Sequence, residues 1–153
     1  MRDMEDTGKT ARAVRAEITG IRKLAGSDER EDICFLAEGT LRRVAGKWHV
    51  LCRAETEADG SADRYHIILS TSGAEVRRKG AAEMTLVFRP DAAADCFVNT
   101  PYGSLSIQSR TYVYSLELKG AYPEVHLEYS LCTGDEPVSE NQLNIRVCGL
   151  PVR

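Results

Sequence analysis

At 153 residues the chain suits one domain, large enough to bury a core without disulfide or metal staples. A hydrophobic fraction of 42% against 28% charged residues excludes global disorder, and a formal net charge of -3 lacks the basic excess of most nucleic-acid binders. Five cysteines, odd in number, widely spaced and without a C-x-x-C pair, exclude both a disulfide scaffold and a paired-cysteine zinc site.

The N-terminal segment is charged and has no apolar h-region, so it does not read as a secretory signal. No apolar run approaches the roughly 20 residues that span a bilayer. A cytoplasmic location with reduced thiols is the expectation, with residues 1–13 as a flexible tail and 14–153 as the folded domain. The next segment is ambiguous. Val14, Ile18, Ile21 and Leu24 keep helical spacing, while the β-branched residues around Gly20 favour a strand.

From residue 32 the β signal is steadier. Residues 33–36 form a short apolar run that ends at a Glu38-Gly39 turn. Trp48, Val50, Cys52 and Ala54 alternate with Lys47, His49, Arg53 and Glu55, and only Leu51 breaks the polar face. Ala58-Asp59-Gly60-Ser61 reads as a turn, residues 65–69 as a strand, Ser72-Gly73 as a turn and residues 74–79 as a short charged strand. Arg77, Arg78 and Lys79 form the densest basic run, read as a solvated turn with phosphate binding as the minor alternative. Met84, Leu86 and Phe88 then alternate, and Pro90-Asp91 stops that strand.

The C-terminal half is the most regular. Leu105 and Ile107 hold the apolar face at odd positions, whereas Tyr112, Tyr114, Leu116 and Leu118 hold it at even ones. A β-bulge near Arg110 would move the phase this way and supply the bend that barrel closure needs. Val125, Leu127, Tyr129 and Leu131, then Leu143, Ile145 and Val147, repeat the two-residue rhythm. Eight to ten short strands of this kind argue for an all-β sandwich or antiparallel barrel, and only closure into a barrel removes the edges.

The segment Asn99-Thr100-Pro101-Tyr102-Gly103-Ser104-Leu105-Ser106-Ile107 carries a resemblance. With Thr111 after it, Arg78-Lys79-Gly80 and residues 84–88 before it, the Glu38-Gly39 and Arg53-Ala54-Glu55 elements, and the late Leu127-Glu128-Tyr129-Ser130-Leu131 strand, it resembles the YwiB-like family of bacterial proteins of unknown function. The resemblance implies a calycin-type (lipocalin-like) antiparallel barrel of eight or more strands, turns the N-terminal segment toward a strand, and implies no activity. Read physically, Pro101 holds Thr100 extended and Gly103 re-enters a strand, so Tyr102 sits at a rim or a packed corner.

No motif carries chemistry outright. There is no G-x-S-x-G elbow, P-loop or G-x-G-x-x-G segment. Ser115-Leu116-Glu117-Leu118-Lys119 approaches the E-x-E-x-K strand of triphosphate-tunnel barrels, but Ser115 replaces the first Glu. His49, His66 and His126 are scattered and read as outward-facing strand residues, so no metal or cofactor is expected. What remains is a barrel lumen that holds a small amphiphilic or anionic ligand without catalysis. The candidate contacts are Arg53, Glu55, Arg78, Tyr102, Arg110 and Tyr129, with Arg110 foremost because it sits where the phase changes. The alternatives are a filled barrel acting through its surface and, with least support, a hydrolase using Glu55 or Glu83 as acid–base. A small-molecule ligand and a homodimer are left open as partners; nucleic acid and membrane are not expected.

Overall fold

A computed structural model describes residues 11–55, 62–80 and 82–150, with the side chains of Glu55 and Ala62 outside the description. Residues 1–10 of the tail expected at 1–13, and the turn at Ala58-Asp59-Gly60-Ser61, also lie outside the described residues. Ten strands follow one another: β1 (Arg12–Leu24), β2 (Arg30–Val44), β3 (Lys47–Glu55), β4 (Ala62–Ser70), β5 (Gly73–Lys79), β6 (Glu83–Phe88), β7 (Ala93–Thr100), β8 (Gly103–Lys119), β9 (Tyr122–Thr133) and β10 (Glu136–Gly149). Each pairs antiparallel with the next, and β1 pairs with β10, so the sheet is a closed up-and-down barrel. Among the described residues there is no helix, and none that is long and apolar enough to cross a membrane.

The predicted bulge is present. The β8–β9 register shifts between Thr111 and Val113, so Thr111 and Tyr114 face inward while Tyr112 is exposed. Three sequence expectations change. Glu38 and Gly39 make no turn: they lie mid-strand in β2, and the chain reverses at Ala45 and Gly46, both at positive φ. β7 was not foreseen, because Ala-Ala-Asp-Cys alternates weakly. β1 starts at Arg12, so Arg12 and Ala13 belong to the first strand.

Inward positions on successive strands build one hydrophobic cluster, from Val14 and Ala16 through Val50, Ile67, Val76 and Phe88 to Leu127 and Ile145. Full burial of each large side chain contributes roughly 1.5–3 kcal/mol. Several contacts join strands that are not neighbours and therefore cross the lumen. Phe88 of β6 packs on Tyr129 of β9 with ring centroids 4.5 Å apart, and Phe35 of β2 on Tyr65 of β4 at 4.6 Å. The Tyr114 hydroxyl of β8 donates to the Ser70 carbonyl of β4 at 2.5 Å. Arg43 stacks over Trp48 at 4.7 Å.

One seam is irregular. β6 and β7 share only three paired positions, Glu83 to Thr85 against Phe97 to Asn99. Beyond them side chains replace the ladder: the Val87 N–H donates to Cys96 Sγ at 3.2 Å, and the Ser109 hydroxyl donates to the Val87 carbonyl at 2.5 Å. The half-buried Val87 thus keeps its backbone groups satisfied where the strands part.

Candidate functional site

In an antiparallel meander the odd strands finish where the even ones begin. That end, the upper end here, carries the β1–β2, β3–β4, β5–β6, β7–β8 and β9–β10 connections. Toward it the inward positions turn from apolar to polar on four strands, while Met84, Val98, Leu105 and Leu131 keep those of β6 to β9 apolar. On β4 the series Leu69, Ile67, Tyr65 ends in Asp63, and on β5 Ala74 and Val76 lead to Arg78. On β1 Val14, Ala16 and Ile18 are followed by Arg22, and on β10 Val147, Ile145 and Leu143 by Asn141 and Ser139. The barrel is thus a hydrophobic plug whose upper mouth is polar along β1, β4, β5 and β10.

The mouth is held by paired charges. Arg78 Nε and Nη2 both donate to Asp63 Oδ2, at 3.1 and 2.7 Å, and the guanidinium lies 5.9 Å from the Tyr65 ring. Asp63 keeps 8% of its side-chain exposure, so it requires this partner. Arg22 pairs with Glu31 at 3.5 Å. The Asn141 amide donates to Ser139 Oγ at 3.0 Å and to the Tyr129 carbonyl at 3.5 Å. Burial pushes the Tyr129 phenol up to about 12, against a smaller opposing pull from the Arg22 charge. Thr111, opposite Tyr129 in the register, is 3% exposed and its Oγ1 is buried without a hydrogen-bond partner among the described residues.

All six residues singled out by sequence belong to strands or turns that reach this end, and of the five whose side chains are described only Arg78 and Tyr129 face inward. Arg53 is exposed on the outer wall, directly opposite Arg64. Glu55 closes β3, and its side chain lies outside the described residues. Tyr102 is 98% exposed on the β7–β8 turn. Arg110 precedes the bulge rather than forming it, so it points outward, with Nη2 3.6 Å from Asp135 Oδ1 on the β9–β10 turn. Sequence reasoning missed Asp63, Asn141 and Thr111. The signal was available for Asp63, which shares the two-residue phase of Tyr65, Ile67 and Leu69.

A family model described as Domain of unknown function (DUF1934) matches residues 17–145. The chain belongs to this family. The ywiB protein from Bacillus subtilis, known from a crystal structure, superposes on this DUF1934 barrel with a TM-score of 0.77 over 92% of this chain and 94% of that one. Sequence identity is 16%, so the likeness is one of fold, and it agrees with the calycin-type barrel implied by the Thr100-Pro101-Tyr102-Gly103 segment. No curated protein sequence matches the chain.

The outer wall of this DUF1934 domain carries two histidine arrangements of opposite character. His126 Nε2 faces Glu128 Oε2 at 3.0 Å and its Nδ1 faces Asn144 Oδ1 at 2.7 Å. Two acceptors suit the doubly protonated ring, and these hydrogen bonds, Glu128 foremost, raise its pKa above 6.5. His49 Nδ1 and His66 Nε2 meet at 2.9 Å, an arrangement that needs one donor and one acceptor and so one neutral ring. Burial lowers both below 6.5, assisted by Lys47 and Arg77 at His49 and by His49 and Arg77 at His66. A proton NMR titration of the ring resonances is therefore expected to place His126 above free histidine and the other two below it. The linkage signs are opposite. The His126 contribution to stability is present below pH 6.5 and lost as pH rises through its raised value. That of the pair is present above pH 6.5 and lost as pH falls through the lowered ones.

Proposed function

We propose that the protein is a non-catalytic binding module that takes a small polar or amphiphilic ligand at the upper mouth of the barrel, above the aromatic floor. The change of inward residues from apolar to polar on β1, β4, β5 and β10 toward this end carries the reading, since convergent polar groups over an apolar base orient small ligands. The unpartnered Thr111 hydroxyl beside Tyr129 and Asn141 supports it, because an unmet buried hydroxyl costs about 1–3 kcal/mol that a bound polar group would offset. All three histidines lie on outward strand positions, so no inward serine has a histidine base beside it among the described residues.

The Phe88–Tyr129 and Phe35–Tyr65 contacts favour shallow seating over a ligand deep in the lumen. They also support the second reading, a filled barrel acting through its wall. Of the four described concavities, none is lined by Val50, Ile67, Val76 or Leu127.

Native mass spectrometry of protein purified from its own host tests the proposal. A retained small molecule is expected, and it should be lost in Asn141→Leu and in the paired Asp63→Leu/Arg78→Met variant, which removes both charges together. A bare protein mass, or an adduct that both variants keep, would turn the assignment to the wall.

A further inference from the structure

The alternation of β3, β4 and β5 sends a set of cations to one strip of the outer wall. Arg53 lies directly opposite Arg64, and Arg64 directly opposite Lys79, so three like charges cross three adjacent strands. Neighbouring strands are about 4.8 Å apart, so this row is about 10 Å long. In the next row along the strands Leu51 faces His66 and His66 faces Arg77. The Arg77-Arg78-Lys79 run is therefore split: Arg78 enters the mouth while Arg77 and Lys79 join the wall.

Like charges placed directly opposite each other destabilise a sheet. Arg77 is paired with Glu75 at 2.6 Å. No described side-chain carboxylate lies within 4.0 Å of Arg53, Arg64 or Lys79, although Glu38 on β2, Glu55 at the end of β3 and Glu83 on β6 flank the strip. β10 lies five places from β5 in the ring of ten, and on that opposite wall Arg146 is held by both Glu17 and Glu124 at 3.2 Å. The balanced total charge conceals this asymmetry.

We infer that the β3–β5 wall binds the phosphate backbone of single-stranded nucleic acid through Arg53, Arg64, Arg77 and Lys79. Guanidinium groups, three of the four, match phosphate oxygens in a bidentate fork. The half-buried His49 and His66 rings and the exposed Leu51 side chain lie within the strip and offer faces to unstacked bases. A convex barrel wall meets a lipid plane or a rigid duplex only along a narrow contact, whereas a flexible single strand follows its curve. The inference is independent of the mouth, which lies on the inner face.

The test is fluorescence anisotropy with labelled oligothymidylate and oligouridylate of about 20 nucleotides, in salt from about 50 to 200 mM. Saturable binding is expected, with log K falling against log salt at a slope of about -3 for four phosphate contacts. Arg53→Glu/Arg64→Glu should weaken binding at least about tenfold and roughly halve the slope. Lys23→Glu/Lys119→Glu, on exposed positions of β1 and β8, makes the same charge change away from the strip and should leave affinity within about twofold. Circular dichroism checks that both variants fold. Absence of binding at the lowest salt, equal loss in the two variants, or binding to anionic phosphatidylserine vesicles in preference to both oligonucleotides would each overturn the inference.

Discussion

Phe88→Ala is expected to remove about 4 kcal/mol of folding stability. Phe88 is fully buried, and its ring spans from β6 to Tyr129 on β9, so truncation leaves a void that strand hydrogen bonds prevent from collapsing. Domains of this size hold about 5–15 kcal/mol, so the loss is a large share of the total. In urea, with a slope of about 2 kcal/mol/M, the midpoint should fall by about 2 M while the slope stays unchanged. The void is also expected to admit benzene or xenon, as dry apolar cavities do. The measurement bears on function. A cost under about 1 kcal/mol would mean that the ring already borders open space, and a ligand seated deep in the lumen would regain its ground.

The strand pattern was legible wherever one face meets the core and the other meets water. β3, β6, β9 and β10 carry the alternation, broken at Leu51, Val87 and Cys132, and the phase change in β8 located the bulge to within a few positions. β7 escaped because it seals the seam beside β6 through Cys96 and backbone rather than through a row of large aliphatic side chains. The identity of the closing pair, β1 with β10, is a contact between chain ends that no local pattern encodes. The Thr100-Pro101-Tyr102-Gly103 resemblance supplied what periodicity left open, a tube rather than two stacked sheets.

The site was legible only as a list of residue types. A bulge tells that the phase changes but not on which residue, and one position decides whether Arg110 enters the lumen or faces Asp135 outside. Tyr102 drew notice through its motif, which encodes a turn: the Thr100 hydroxyl accepts from the Tyr102 N–H at 3.1 Å and donates to the Gly103 carbonyl at 3.0 Å. The Asp63–Arg78 pair and the Arg53–Arg64–Lys79 row both depend on cross-strand register. Sequence alone places residues on faces without saying which lie opposite across two strands.

Gly39→Ala is expected to destabilise the barrel by about 3 kcal/mol or more, although it adds one methyl group. Gly39 stands mid-strand on an inward position, between Val14 of β1 and Cys52 of β3. A Cβ there would overlap the Leu51 carbonyl oxygen and lie 2.8 Å from Cys52 Cα, so backbone rather than a flexible side chain obstructs it. Relief requires β2 and β3 to separate, which breaks ladder hydrogen bonds and shifts Phe35 off Tyr65, the stack that floors the mouth. Gly46→Ala is the matched comparison. It stands at φ 80 in the true β2–β3 turn, with no heavy atom within 4 Å of an added Cβ. Its cost is conformational alone, about 1 kcal/mol. Urea midpoints should rank the two variants accordingly, and ligand retention should fall in Gly39→Ala while Gly46→Ala keeps it. Equal midpoints would show that β2 and β3 part without penalty at Gly39, and the aromatic floor could then not be the rigid base on which a shallow mouth site depends.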